Sequence, residues 1–239
     1  MVEVFISVIF IKKILAYILN IETSTKNCSV SIAKSGELIS LKELNNGSYS
    51  HAEMLHPLIK EALSESELSM GQINAIAVGK GPGSYTGLRI GVSTAKGICF
   101  ANDIPLISIN SLEVLAHSIS IDTGLIIPMI DARRMEVYST IFDNSYNMIR
   151  ETKSEIIDEN SFSEQMNDHK IYIVGDAATK CRETITNSNA IFIDNKFPSS
   201  KEMAKLSFIH YNKNTFEDVA YFEPFYLKDF IATQEKKKF

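Results

Sequence analysis

Apolar residues along the chain fall into short continuous runs and longer helical stripes. Four of the runs contain no charged side chain; they lie at 16–21, 73–78, 104–109 and 125–130. Their length and continuity predict strands that are buried on both faces. Segments 28–33 and 38–44 are separated by a polar turn that contains Gly36. Together with the first run they predict an antiparallel meander.

Helical spacing and further strand patterns extend this picture to the end of the chain. Helices are predicted at 50–63, 84–101, from 111 and at 200–210, and further strands at 135–142, 171–174 and 191–193. Segment 144–167 is polar and has no clear pattern. The repeated order of strands and helices predicts an α/β protein of two related units. The predicted boundaries are an extension at 1–14, units at 15–109 and 110–228, and a disordered tail at 229–239.

A glycine-rich loop joins the strand at 73–78 to the helix that ends near 101. Gly81, Gly83 and Ser84 lie in this loop, and Ser84 or Thr86 can cap the helix. The backbone N–H groups of such a turn point outward and suit an anion, so these loop residues are weak candidates for cofactor binding. The simpler interpretation, in which the glycines only turn the chain, is favoured because short glycine patterns are weak evidence.

The helix after the loop has a sector of small residues beside a sector of larger apolar residues. The two sectors are Gly87, Gly91 and Ala95, and Leu88, Val92 and Cys99. An interior glycine destabilises a helix by roughly 1 kcal/mol relative to alanine, so the small sector predicts close approach by another element. That element is either part of the same domain or a second protein.

The composition disfavours direct nucleic-acid binding as the main activity. The chain has 24 Lys and Arg against 29 Asp and Glu, a net charge of −5, and its dense basic run is confined to 236–238. Proteins that hold tRNA or DNA alone normally cluster basic residues. The cysteines at 28, 99 and 181 are far apart, which fits reduced thiols in a cytoplasmic protein.

Two further features of the sequence are only weak indications of function. His51 and His56 are five residues apart, about 140° around a helix, so they cannot share a metal ion on one face and are interpreted as surface or partner-contact residues. Residues 2–11 are mostly apolar but too few to span a bilayer. They are interpreted as an extension, an extra strand or an early start, with a peripheral membrane anchor as the minor alternative.

Four segments together resemble the TsaB (YeaZ) family, in its order and spacing. They are ILNIETST (18–25), GPGSYTGLRIG (81–91), DARRMEVY (131–138) and PFYLK (224–228). The resemblance covers about residues 15–228. It implies the actin-like fold of acetate and sugar kinases, Hsp70 and actin, with a mixed sheet flanked by helices in each unit.

The resemblance also implies a role in making N6-threonylcarbamoyladenosine (t6A) at position 37 of tRNAs that read codons beginning with A. In that system TsaD transfers the threonylcarbamoyl group, TsaC makes its adenylate, and the ATPase TsaE joins the complex. The expected partners are therefore TsaD and TsaE, with a homodimer when the chain is alone and tRNA bound only indirectly. No cofactor of its own is expected, apart from ATP or ADP at the interface with TsaD and TsaE.

The same resemblance implies that the chain is not the catalytic sister. TsaD holds a metal partly through two histidines four residues apart, and the matching positions here are Ser111 and Leu115. No metal site and no catalytic residue are therefore expected. Glu22 and Asp131 could be imagined in a nucleotide cleft, with Glu22 a weak cofactor candidate, but a structural role is favoured for both.

The two helices at 50–63 and 86–101 are predicted to pair with TsaD in a four-helix packing. The predicted interface residues are Met54, Leu55, Leu58, Ile59, Gly87, Arg89, Gly91 and Ala95. Replacing Gly91 with Leu is expected to abolish pairing and leave the fold intact. The alternative is an independent enzyme of the same fold, either a metallohydrolase related to glycoproteases or a nucleotide-binding relative of the kinases.

Overall fold

The computed structural model describes residues 15–47 and 50–227. The predicted extension at 1–14 and tail at 229–239 lie outside these residues. The described chain forms two five-stranded mixed sheets, each flanked by helices. Their strands are β1 (Tyr17–Glu22), β2 (Cys28–Lys34), β3 (Glu37–Leu44), β4 (Ala75–Gly81), β5 (Leu106–Asn110), β6 (Leu125–Asp131), β7 (Glu136–Asp143), β8 (Met148–Ile156), β9 (Ile171–Val174) and β10 (Ala190–Ile193).

The two sheets share one topology. The first has the order β3-β2-β1-β4-β5 and the second the order β10-β9-β6-β7-β8. Each contains an antiparallel meander of three strands; a fourth strand pairs in parallel with the first meander strand, and a fifth pairs in parallel with the fourth. The predictions of two related α/β units and of the meander at 16–44 are confirmed.

Strand β8 falls in the segment for which the sequence predicts no clear element. It pairs only with β7, so one of its edges lacks a neighbouring strand within the described part of the chain. All of its side chains are exposed or half-buried, and six of the nine are charged or hydroxylic. An edge strand buries too little apolar surface to show the continuous apolar run of a central strand.

Six α-helices in the described residues cover the sheets. They are α1 (His51–Glu65), α2 (Tyr85–Asn102), α3 (Ser111–Ala116), α4 (Ser163–Asp168), α5 (Ala178–Cys181) and α6 (Ser200–Asn212). Helices α1 and α2 bury one face of the first sheet around Leu19, Ile76 and Val92. Helices α3 and α6 bury its other face around Ile107 and Met203. The first sheet is thus covered on both sides, as its continuous apolar strands require.

Residues 200–227 return to the first sheet, although the sequence assigned them to the second unit. Met203 and Leu206 of α6 pack in the core beside β1, β4 and β5. The segment after α6 then forms a bridge between Glu217 and Leu106, and the Phe225 amide donates to the Lys80 carbonyl at 2.8 Å. This closing segment, residues 213–227, therefore docks on the first sheet.

None of the helices in the described residues combines the length and the apolar character needed to cross a membrane.

Candidate functional site

The glycine-rich loop packs on the turn that follows β1. The Ser84 amide donates to the Ser24 carbonyl at 2.6 Å, and the Ser84 hydroxyl caps α2 by accepting from the Gly87 amide. A Cβ added at Gly83 would lie 2.7 Å from Ser24 Cβ, so only glycine fits this approach. The prediction that the loop amides point outward is wrong for Ser84. Gly81 and Gly83 serve the close packing of the loop, as the simpler interpretation predicts.

Glu22 ends β1, and its carboxyl group contacts Gly79 of β4 and Ser111, which follows β5. Its carboxylate accepts from the Ser24 amide at 2.7 Å and from the Ser111 hydroxyl at 3.0 Å. Burial raises the pKa of Glu22, and the carboxyl carbon leaves no room for a side chain at Gly79. The Glu22 carboxyl group is fully buried and bonded within the fold, which favours a structural role. Asn110 caps α3 by accepting from the Leu112 amide.

The small sector of α2 faces the same turn. Thr23 donates its hydroxyl to the Gly87 carbonyl at 2.8 Å, and a Cβ added at Gly91 would overlap Thr23 Oγ1. His51 is also buried there, with Nε2 donating to the Thr25 carbonyl at 2.7 Å, so the prediction of a surface histidine is wrong. Burial lowers the pKa of His51. Gly87 and Gly91 therefore allow close packing within the domain.

Several predicted interface residues lie inside the first domain. Ala95, Leu55, Leu58 and Ile59 are buried in the core that covers the sheet, and Gly87 and Gly91 are buried against Thr23. Replacing Gly91 with Leu would therefore disturb the fold. Met54 is half-buried and Arg89 is exposed. The helical pattern identified apolar positions correctly but could not distinguish the domain's own core from a second protein.

The outer faces of α1 and α2 form a shallow groove with a volume of about 430 Å³. The side chains that line the groove are mostly small, and the lining residues include His56, Ser93, Gly97, Ile98 and Ala101. Phe100, on the exposed side of α2, has 85% of its surface accessible. An exposed phenylalanine beside a groove of small residues is typical of a helix-packing surface. Gly97 and Phe100 escaped the sequence-based prediction because they fall outside both apolar sectors.

Arg89 sits at the amino-terminal end of α2 among aromatic rings. Its guanidinium lies 4.2 Å from the centre of the Tyr85 ring, and its Nε donates to the Tyr226 hydroxyl at 3.3 Å. The rings of Tyr85 and Tyr226 are 5.0 Å apart. Arg89 was predicted as an interface residue; within the described residues it links α2 to the closing segment.

Asp131 lies at the carboxyl end of β6, the central strand of the second sheet. Its carboxylate accepts from the Arg133 amide at 2.8 Å and pairs with Lys180 at 2.5 Å, while its own amide donates to Asp176 at 2.9 Å. Burial raises the pKa of Asp176 to about 6. Each contact of Asp131 holds the β6–β7 turn in place. The described residues contain no group of three His, Cys, Asp or Glu side chains arranged for a metal ion.

Comparison with known proteins agrees with this architecture. The model of the family described as TsaD, tRNA N6-adenosine threonylcarbamoyltransferase, matches residues 45–235. A Haemophilus influenzae protein named tRNA threonylcarbamoyladenosine biosynthesis protein TsaB is 27% identical over 226 residues, 90% of this chain and 94% of the relative. The Escherichia coli protein of the same name is 34% identical over 134 residues, 55% of this chain and 57% of the relative.

This chain belongs to the TsaD family, on its TsaB (YeaZ) branch. The YeaZ structure from Pseudomonas aeruginosa superposes with a TM-score of 0.75 at 22% identity, covering 89% of this chain and all of that one. A second Pseudomonas aeruginosa structure, described as similar to peptidase YeaZ, has a TM-score of 0.79 at 21% identity with the same coverage. The actin-like fold implied by the TsaB resemblance is thereby confirmed.

Ser111 and Leu115, which the TsaB resemblance matches to the expected histidine ligands of TsaD, have other roles in this fold. The Ser111 hydroxyl is committed to Glu22, and Leu115 is fully buried in the core beneath the second sheet. A serine engaged in a buried hydrogen bond and an aliphatic side chain do not form the donor set that a histidine-bound metal needs. These residues do not fit the metal of the catalytic sister.

Proposed function

We propose that this chain is a non-catalytic partner of TsaD in the formation of t6A at position 37 of tRNAs that read codons beginning with A. The family match and the names of the TsaB relatives support the pathway. The single observation that most favours a non-catalytic role is the pair Ser111 and Leu115, one locked to a buried carboxylate and the other in the core.

The surface proposed to bind TsaD is the outer face of α1 and α2. It consists of the groove lined by His56, Ser93, Gly97 and Ala101, together with the exposed ring of Phe100. Small side chains let a second pair of helices approach closely, and the aromatic ring supplies apolar area for burial. Met54 and Arg89 flank this face. In the absence of TsaD, the same face is proposed to join two copies of the chain.

Nucleotide is proposed to bind between subunits, with TsaD and TsaE contributing the site. In this chain the glycine loop is packed on Ser24, and the Ser84 amide is already donated to the Ser24 carbonyl. Glu22 is enclosed behind the same turn. A phosphate-binding turn needs free amides, so the chain is expected to bind ATP weakly when alone.

The interface proposal is tested with a substitution that fills the groove and leaves the packing of the domain unchanged. Nothing lies within 4 Å of a Cβ at Gly97, and arginine favours a helix more than glycine does. The Gly97→Arg variant is therefore expected to unfold at the wild-type temperature or above, and to lose co-purification with TsaD. Asn212→Arg, at the exposed end of α6, is the matched control and should co-purify normally. Normal pairing by Gly97→Arg would contradict the assignment.

A further inference from the structure

The turn between β6 and β7 holds two adjacent arginines in an unusual backbone conformation. Arg133 and Arg134 have φ values of 73° and 52°, in the left-handed region that side chains other than glycine rarely adopt. Both residues are exposed. Two successive residues in this region are disfavoured unless surrounding contacts impose the conformation.

Those contacts come mainly from one lysine. Lys180 of α5 reaches across to the turn and donates to the Asp131 carboxylate at 2.5 Å and to the carbonyls of Arg134 and Glu136, each at 2.7 Å. The Asp131 carboxylate in turn accepts from the Arg133 amide, and two backbone hydrogen bonds close the turn at Glu136. The backbone of the turn is therefore fixed before any ligand arrives.

The acidic groups around the turn are engaged elsewhere. Asp131 pairs with Lys180, Asp176 accepts from the Asp131 amide, and Glu136 accepts from the Ser154 hydroxyl at 2.6 Å. Across the described residues, neither arginine side chain forms an ion pair or hydrogen bond. Other guanidinium groups of this acidic chain are partnered; Arg150 meets Glu155 and Arg182 meets Asp194. The turn thus displays two free, neighbouring guanidinium groups on a fixed backbone.

The turn lies at the carboxyl end of β6, beside the carboxyl end of β9 in the second sheet. Asp131 ends β6 and Asp176 follows β9, so both mark the carboxyl edge of parallel strands in the second sheet. Lys26, in the turn after β1 of the first sheet, is close enough to Asp176 to lower the pKa of that carboxyl, although burial outweighs it. Lys26 is also exposed. Lys26, Arg133 and Arg134 are thus exposed basic side chains around the Asp131–Asp176 end of the second sheet.

We propose that Arg133 and Arg134 bind the phosphate backbone of the tRNA substrate when this chain is assembled with TsaD. This inference rests on the proposed function, and it replaces the expectation that tRNA is held only indirectly. The planar guanidinium fork matches two phosphate oxygens at once, and a prearranged backbone reduces the ordering cost of binding. Two such contacts supply affinity without sequence discrimination, so the chain needs no overall positive charge.

The test uses the complex of the full chain with its cognate TsaD and measures tRNA binding over a range of salt concentrations. The variant Arg133→Gly/Arg134→Gly removes both guanidinium groups and suits the positive φ values. Lys201→Gln/Lys205→Gln, on the exposed side of α6, is the control with the same change of charge. Arg133→Lys/Arg134→Lys keeps the charge and removes the fork.

Each phosphate contact changes affinity roughly five- to eightfold for a tenfold change of salt, from counterion release. The glycine variant is therefore expected to weaken binding at 0.1 M salt by roughly 25- to 60-fold and to lower the log–log salt slope by about 1.4–1.8. The lysine variant should fall between this and wild type, and the control should stay within about twofold of wild type.

Three outcomes would overturn the proposal. They are unchanged tRNA affinity in the glycine variant, an equal loss in the control, and loss of co-purification with TsaD, which would make the turn a protein contact. Failure of the proposed function would give a different result. If the chain is not needed for t6A formation, the modification assay will proceed equally with the wild-type chain, with the arginine variant and without either. If modification needs the chain but the glycine variant binds tRNA normally, only the arginine assignment fails.

Discussion

Gly91 gives the sharpest test of how α2 packs. In an exposed helix interior, Gly→Ala stabilises a protein by up to about 1 kcal/mol. At Gly91 the new methyl group would overlap Thr23 Oγ1 and lie 3.4 Å from Thr23 Cβ and Cγ2. Thr23 cannot retreat freely, because its hydroxyl donates to the Gly87 carbonyl at 2.8 Å. We therefore expect Gly91→Ala to destabilise the fold.

The magnitude follows from two opposing contributions. Overpacking a buried site costs about 1–3 kcal/mol, and loss of the Thr23 hydrogen bond adds about 1 kcal/mol, against a helix-propensity gain of about 1 kcal/mol. The net expectation is a loss of about 1–3 kcal/mol in the free energy of unfolding. Gly97→Ala, on the same helix but with nothing within 4 Å of the new Cβ, should gain up to about 1 kcal/mol.

Urea denaturation of four variants measures both effects. Gly91→Ala and Gly97→Ala are compared directly, and Gly91→Ala is repeated in a Thr23→Ala background. Removing Thr23 Oγ1 and Cγ2 removes the overlap, so the double variant should be less destabilised than the sum of its single changes. A stabilising Gly91→Ala in the wild-type background would refute this packing, and would return Gly91 to the partner-facing surface that the sequence predicts.

Two further predictions concern stability and the closing segment. The raised pKa of Asp176, about 6 in the folded state, means that stability contributed by its protonated form is lost as pH rises from about 4 through 6. The free energy of unfolding of Asp176→Asn, relative to wild type, should therefore rise by up to about 3 kcal/mol between pH 3.5 and 7 in chemical denaturation. A difference between the two proteins that does not change with pH would contradict this. Lys96 donates to the carbonyls of Ala220 and Phe222 at 3.2 and 2.8 Å. Lys96→Met should weaken docking of the closing segment by about 1 kcal/mol, seen as faster amide exchange there; unchanged exchange would count against this.

Much of the first sheet could be predicted because its strands are buried on both faces. Continuous apolar runs mark β1, β4 and β5, and glycine and serine spacing marks the loop into α2. The repeated topology of the two sheets also follows from the order of these patterns. These are local signals, and tertiary structure reinforces them.

Two features could not be predicted from local pattern. Strand β8 is an edge strand with little burial, and α6 carries no mark in its own sequence of which sheet it covers. The apolar sectors of α2 likewise indicate burial without naming the partner, and the partner proved to be Thr23 and the first sheet. The exposed groove and the fixed arginine turn depend on contacts between distant residues, such as Lys180 with Asp131.

The most direct test of the central claim is reconstituted t6A formation. Purified TsaC, TsaD and TsaE are combined with ATP, threonine, bicarbonate and tRNA, with and without this chain, and the modified nucleoside is quantified. The proposal predicts modification only when the chain is present, and no turnover by the chain alone. Equal modification without it, or turnover by the chain alone, would contradict its role as a non-catalytic partner.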